Sequence, residues 1–193
     1  MAAEGGAPAR PEDWPVTITH LEMAAAPAEP APPMPAGQRL ALVVAENPPP
    51  RWFLYLYRSV GAEWHWTDWF GKPEAELAAF VGDPKVTIHT LMTDGWPGGF
   101  FMLDAREVAA TGTCDLAYFG LVPEAIGRGL GNWFLATAIR TAWELPGVRR
   151  LTVNTCTLDH PRALGLYQRM GFVPVRREGR EMPPPAPEGL SLI

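Results

Sequence analysis

The chain is poor in cysteine, in basic residues and in long apolar runs. Its 193 residues hold two cysteines and four histidines, with no spacing suited to a zinc site and too few thiols for a disulfide framework. Cys114 and Cys156 sit in or beside apolar, strand-like segments and read as small buried residues. Lys and Arg together number 16 against 21 Asp and Glu, a formal charge of -5. A surface that neutralises phosphate backbones needs the opposite balance, so nucleic acid is not an expected partner. No stretch approaches the length of a membrane span, and the N-terminus lacks the apolar core of a secretory signal. No membrane partner and a cytoplasmic location are therefore expected. A Gly-Lys-Ser/Thr ending is missing too, which argues against a Walker-type phosphate loop.

Proline and tryptophan, by contrast, are plentiful: 22 and 8 residues. The prolines are unevenly spread. Residues 1–15 are Ala/Gly/Pro-rich, and residues 24–37 (AAAPAEPAPPMPAG) favour an extended conformation that cannot bury a core. Between them Val16 to Met23 reads as a strand, which must pair either with its own sheet edge or with a second subunit. The tail from Met182, with Pro183, Pro184, Pro185 and Pro187, reads as a spacer. The expected division is an extension at 1–37, one domain at 38–181 and a tail at 182–193.

Residues 112–132 (GTCDLAYFGLVPEAIGRGLGN) carry the most chemistry. An apolar strand-like run from Cys114 to Val122 stops at Pro123. Gly127, Gly129 and Gly131 follow at alternate positions, and a helical pattern starts at once over 129–144. Glycines let main-chain N–H groups approach phosphate oxygens, and a helix N-terminus adds a favourable field. The spacing is not the Gly-x-Gly-x-x-Gly of a dinucleotide fold, and no acidic residue closes a second strand where that fold needs one. A tight turn that binds nothing would use the same glycines.

Ile126-Gly127-Arg128-Gly129-Leu130-Gly131 resembles the Gln/Arg-x-x-Gly-x-Gly/Ala signature of the GNAT superfamily of N-acetyltransferases, with Ile126 replacing the usual Gln or Arg. Residues 150–172 (RLTVNTCTLDHPRALGLYQRMGF) resemble that family's Asn-x-x-Ala-x-x-Leu-Tyr-x-x-x-Gly-Phe segment. Ala163, Leu166, Tyr167, Gly171 and Phe172 match, and His160 takes the usual Asn position. The resemblance covers about residues 38 to 180. It implies an α/β fold of the α+β kind: a mixed, largely antiparallel sheet flanked by helices, with a V-shaped splay between central strands. The order β-α-α-β-β-β-α-β-α-β is expected, with strands at 40–45, 86–92, 99–103, 114–122, 150–155 and 172–175. Helices are expected at 51–60, 73–81, 129–144 and 161–170, and Thr93-Asp94-Gly95 signals a hairpin.

The resemblance implies acetyl-CoA as co-substrate, no metal, and a primary amine of a small molecule, amino acid or peptide as acceptor. Leu121, Val122, Ile126, Gly127, Arg128, Gly129, Leu130, Gly131, Asn132, His160 and Tyr167 would bind the cofactor, with the Val122 N–H as oxyanion donor. Asp115 is the expected base, with Glu63, His65, Asp68 and Asp104 as rivals. Tyr167 is the expected acid. Glu63, Trp64, His65, Trp66, Asp68 and Trp69 would meet the acceptor through cation–π contacts and carboxylate pairing, although some of these rings could simply fill the core. Two other readings compete: an inactive acyl-CoA-binding or assembly module of the same fold, and a different nucleotide-binding α/β enzyme. A homodimer is compatible with the unpaired 16–23 strand.

Overall fold

The computed structural model describes residues 14–30 and 32–182. The first thirteen residues and the prolines at 183, 184, 185 and 187 lie outside the described residues. Seven strands, β1 (Trp14–Met23), β2 (Leu40–Ala45), β3 (Val86–Thr93), β4 (Trp96–Asp104), β5 (Thr113–Leu121), β6 (Arg150–Cys156) and β7 (Val173–Met182), form one sheet in the order β2-β3-β4-β5-β6-β1-β7. All pairings are antiparallel except β5 with β6. The helices are α1 (Pro50–Gly61), α2 (Glu74–Val81), a short α3 (Val108–Thr111), α4 (Leu130–Trp143) and α5 (Ala163–Arg169). The mixed, mostly antiparallel sheet expected from the sequence is observed.

Local chemistry explains the boundaries. α1 starts on Pro50, whose fixed φ suits a first helical position, and buries Phe53, Leu56, Tyr57 and Val60 at helical spacing. The β3–β4 hairpin turns on two residues, Asp94 and Gly95, with φ of 53° and 95°. Positive φ at both positions matches the right-handed twist of the flanking strands, and Asp-Gly tolerates it. Pro161 does not open α5 as its position suggested. The His160 ring accepts from the Arg162 N–H at 3.1 Å and the His160 carbonyl from Ala163 N–H at 2.8 Å, a tight turn that delays the helix to Ala163.

Two cores lie on opposite faces of the sheet. α4 covers one, burying Leu130, Phe134, Leu135 and Ala138 against Leu103, Cys114, Leu116, Leu151 and Val153. α1 and α2 cover the other, burying Phe53, Tyr57 and Leu77 against Val86, Ile88, Phe100 and Met102.

β1 is neither at an edge nor unpaired. It runs between β6 and β7, with Ile18 opposite Cys156 on one side and Glu178 on the other. Val16, Leu21 and Met23 are buried there. β7 is an edge strand, as is β2 at the other end of the sheet. β7 is longer than expected: Met182 pairs with Trp14 rather than beginning a spacer. Glu29, beyond β1, lies on the α4 side, where Arg140 donates to its carbonyl.

Candidate active site

β5 and β6 pair over only three positions, Thr113 with Arg150, Cys114 with Leu151 and Asp115 with Thr152. Beyond them β5 stays with β4 and β6 with β1, so the two strands part. A cleft of about 800 Å³ occupies the opening. The Val122 N–H, expected to be a free oxyanion donor, is bonded to the Gly98 carbonyl at 3.0 Å. N–H groups alternate between the two edges of a strand in an antiparallel ladder. With Val122 turned toward β4, the N–H groups of Leu121 and Phe119 point into the opening.

The glycine turn closes the wide end. Gly127 and Gly129 have φ of 83° and 77°, a region costly for any residue with a Cβ. Gly131 has no such constraint, yet a Cβ added at 127, 129 or 131 would meet nothing within 4 Å. The main chain is therefore bare toward the cleft. α4 begins here with Gly129 as N-cap and no side-chain cap bond, leaving its first N–H groups without helical acceptors. A phosphate or diphosphate fits that combination of open approach, free donors and helix dipole.

Most of the expected cofactor residues line the cleft: Leu121, Ile126, Gly127, Gly129, Leu130, Gly131, Asn132, His160 and Tyr167. Val122 and Arg128 do not. The Arg128 guanidinium is held by Asp94 at 3.0 Å, and its carbonyl accepts from Gln38 Nε2 at 3.2 Å. The bonds from Arg128 and Arg39 keep the Asp94 carboxyl below its ordinary range. Arg162, Arg169 and Arg180 do reach the cleft; the first two are seven residues apart and so lie on one side of α5. That spacing was readable in the sequence, but it is as common in solvated helix faces.

Tyr167 packs edge-on against Phe119 and Phe172. Burial, helped by the charges of Asp159 and Asp115, raises its pKa well beyond the ordinary phenol value, so it stays protonated.

On the acceptor side Trp64, His65, Trp66 and Asp68 line the cleft, while Glu63 and Trp69 do not. Trp69 stacks on Phe80 at 4.9 Å and donates to the Tyr118 hydroxyl at 2.7 Å, so it holds the wall from behind. Trp66 reaches Asp159 at 3.4 Å, and Asp159 is also bound by the Thr155 hydroxyl and the Cys156 N–H. Asp159 is thereby committed, whereas the Asp68 carboxylate has no ion-pair partner among the described residues. Tyr57 and Tyr118 were missed by sequence reading. The Tyr57 hydroxyl accepts from the Asp68 N–H at 3.1 Å. Burial lifts the Tyr118 phenol to about 12, opposed by the Trp69 bond and helped by the Asp68 charge. His65 has φ of 59° and a buried Nδ1 without a partner; backbone cost of this kind concentrates at functional sites.

Three further placements differ from the sequence reading. Asp115 lies off the main cleft, in an adjoining recess with His20, Thr152, Asn154 and Arg176. Asp104 is held by Arg106 at 2.6 Å. Cys156 lines the cleft half-buried instead of sitting in the core, unlike Cys114. Ile18 and His20 of β1 and Arg180 and Met182 of β7 also line the cleft. They arrive by long-range pairing, for which local sequence holds no signal.

Comparison with known families gives a match over residues 44–172 to a profile described as Acetyltransferase (GNAT) family. Among solved structures, a GCN5-related N-acetyltransferase from Sphaerobacter thermophilus superimposes with a TM-score of 0.59 at 17% identity, over 90% of this chain and 54% of that one. One from Kribbella flavida gives 0.50 at 22%, over 82% and 56%. An aminoglycoside acetyltransferase from an uncultured soil metagenomic sample, in complex with sisomicin, gives 0.52 at 12%, over 80% and 93%. The chain thus spans little more than half the length of several of its structural neighbours. No curated protein matches it.

Proposed function

Because the chain belongs to the GNAT acetyltransferase family, a fold that carries out acyl transfer, we propose that it moves an acetyl group from acetyl-CoA to a primary amine by direct attack. One observation carries the reading: the parted strands, with free N–H groups on β5, open onto a bare glycine turn at a helix N-terminus. A thioester bearing a diphosphate fits that shape. Gly127 to Asn132 would hold the diphosphate through main-chain N–H groups. Arg162 and Arg169 add charge that Arg128, tied to Asp94, does not. The thioester supplies an activated acyl group when bound.

The chain's own residues have three tasks. The N–H groups of Phe119 and Leu121 stabilise the oxyanion of the tetrahedral intermediate. Asp68, the unpaired carboxylate on the acceptor wall, receives the ammonium proton, so that the neutral amine attacks. Tyr167 gives a proton to the departing thiolate as the C–S bond breaks. Its phenolate recovers one, through solvent, from the nitrogen that has formed the amide bond. The raised pKa of Tyr167 keeps its proton in place until the thiolate forms. Asp115 is the alternative base, separated from Asp68 by its recess.

Thiol release from acetyl-CoA across a panel of amines tests this directly. Amine-dependent release is expected, with thermal stabilisation by CoA and none by NAD or ATP. Stabilisation by CoA with no release for any amine would leave only a binding module.

A further inference from the structure

On the face that carries α1 and α2, the sheet changes character from one side to the other. These helices pack on β3, β4 and β5, over apolar Val86, Ile88, Phe100 and Met102. Farther along the same face, β6, β1 and β7 present Thr152, Asn154, His20, Glu22 and Arg176. With Asp115 these residues line the recess of about 400 Å³, which shares His20, Val153 and Asn154 with the main cleft.

Asp115 has no ion-pair partner among the described residues, and His20 is the one lining group whose charge favours its ionised form. Thr152 Oγ1 donates to its Oδ1 at 2.5 Å, and its Oδ2 has no hydrogen-bond partner among the described residues. The neighbouring cations are already engaged. Arg176 binds Glu178 at 2.7 Å and contacts His20 at 2.9 Å, and Arg150 binds Glu22 at 3.3 Å. Burial also works against the Asp115 charge. A cation arriving from the cleft would relieve that cost, because a carboxylate partly removed from water pairs more strongly than an exposed one.

We propose that this recess seats a second cationic nitrogen of the acceptor, which makes the substrate an extended diamine or polyamine. The proposal rests on the acyl-transfer reading. Asp115 lies four residues before Phe119, a separation of about 13 Å along an ideal strand. β5 is bulged between Leu116 and Tyr118, since Leu103 pairs with the first and Met102 with the second, and the bulge shortens the path. The reacting nitrogen and the second charge should therefore sit about 10 Å apart. That span excludes short diamines and suits chains of spermidine length.

Calorimetric binding to the CoA-loaded full chain tests the proposal without requiring turnover. Spermidine should bind about tenfold tighter than n-octylamine, and cadaverine should gain little. Asp115→Asn should bring the spermidine-to-octylamine ratio close to one. Equal affinities in the wild-type protein, or a preference that survives Asp115→Asn, would overturn the proposal. If spermidine binds with the stated preference but no amine is acetylated, acyl transfer falls and the recess assignment stands. If amines are acetylated with no preference for a second cation, the recess assignment falls and acyl transfer stands.

Discussion

At the scale of single residues, the glycine turn separates folding from binding. Gly131 has ordinary φ and open space around its missing Cβ. Gly131→Ala should leave Tm almost unchanged and lower CoA affinity by about tenfold or more, because the methyl group occupies the phosphate approach. Paired melting curves and CoA titrations check this; a fall in Tm with CoA affinity intact would show that the glycine serves packing. Tyr167→Phe removes one hydroxyl from a ring fixed by Phe119 and Phe172. A general acid contributes roughly 10²–10⁴-fold, so kcat should fall by about that range while CoA binding persists, which single-turnover kinetics can read. These two residues were legible in the sequence because each belongs to a short local pattern. Tyr118, Arg180 and His20 were not, because their place on the cleft wall comes from strand pairings that no window of sequence contains. The Val122 donor was misassigned for a related reason. Which edge of a strand an N–H faces depends on the partner's register, and Gly98 sets it.

At the scale of elements, most strands and helices between residues 40 and 175 were readable from periodicity and turn residues, whereas the short α3, the start of α5, the length of β7 and the place of β1 were not. A strand ahead of a proline-rich segment shows its period but not its neighbours. In the fold it contributes Val16, Leu21 and Met23 to the core and gives β7 its one pairing among the described residues. Leu21→Ala should cost about 3 kcal/mol, the usual loss for a fully buried leucine, measurable by denaturant unfolding. Removing residues 1–37 should do more, since β6 becomes an open edge and β7 is left unpaired. An added peptide of residues 14–23 should restore CoA-dependent thermal stabilisation to the truncated chain. Full stability of the truncated chain without the peptide would show that β1 is dispensable.

Across the whole molecule, acid sensitivity should have an identifiable origin. His89 is 7% exposed, lies flat on Phe101 at 4.4 Å, and is driven by burial from its ordinary 6.5 to about 4. The unfolded chain takes up a proton at this residue as pH falls through 6.5, whereas the folded chain resists until about 4. Stability should therefore decline across that window and level off below it, by up to about 3 kcal/mol from this residue alone. His89→Gln should flatten the slope of Tm against pH between those limits. An unchanged slope would place the acid sensitivity elsewhere.

The insertion of β1 between β6 and β7 also sets an order of events during synthesis. β1 leaves the ribosome ahead of the other strands of the sheet yet completes its pairing last, because Leu21 must wait for Val153 on one side and Pro174 on the other. Until then a nascent chain carries an unsatisfied apolar strand on a proline-rich tether. Contacts this distant along the chain slow folding and prolong exposure to aggregation. The yield of soluble protein should therefore respond more to chaperone supply than the modest size of the chain would suggest.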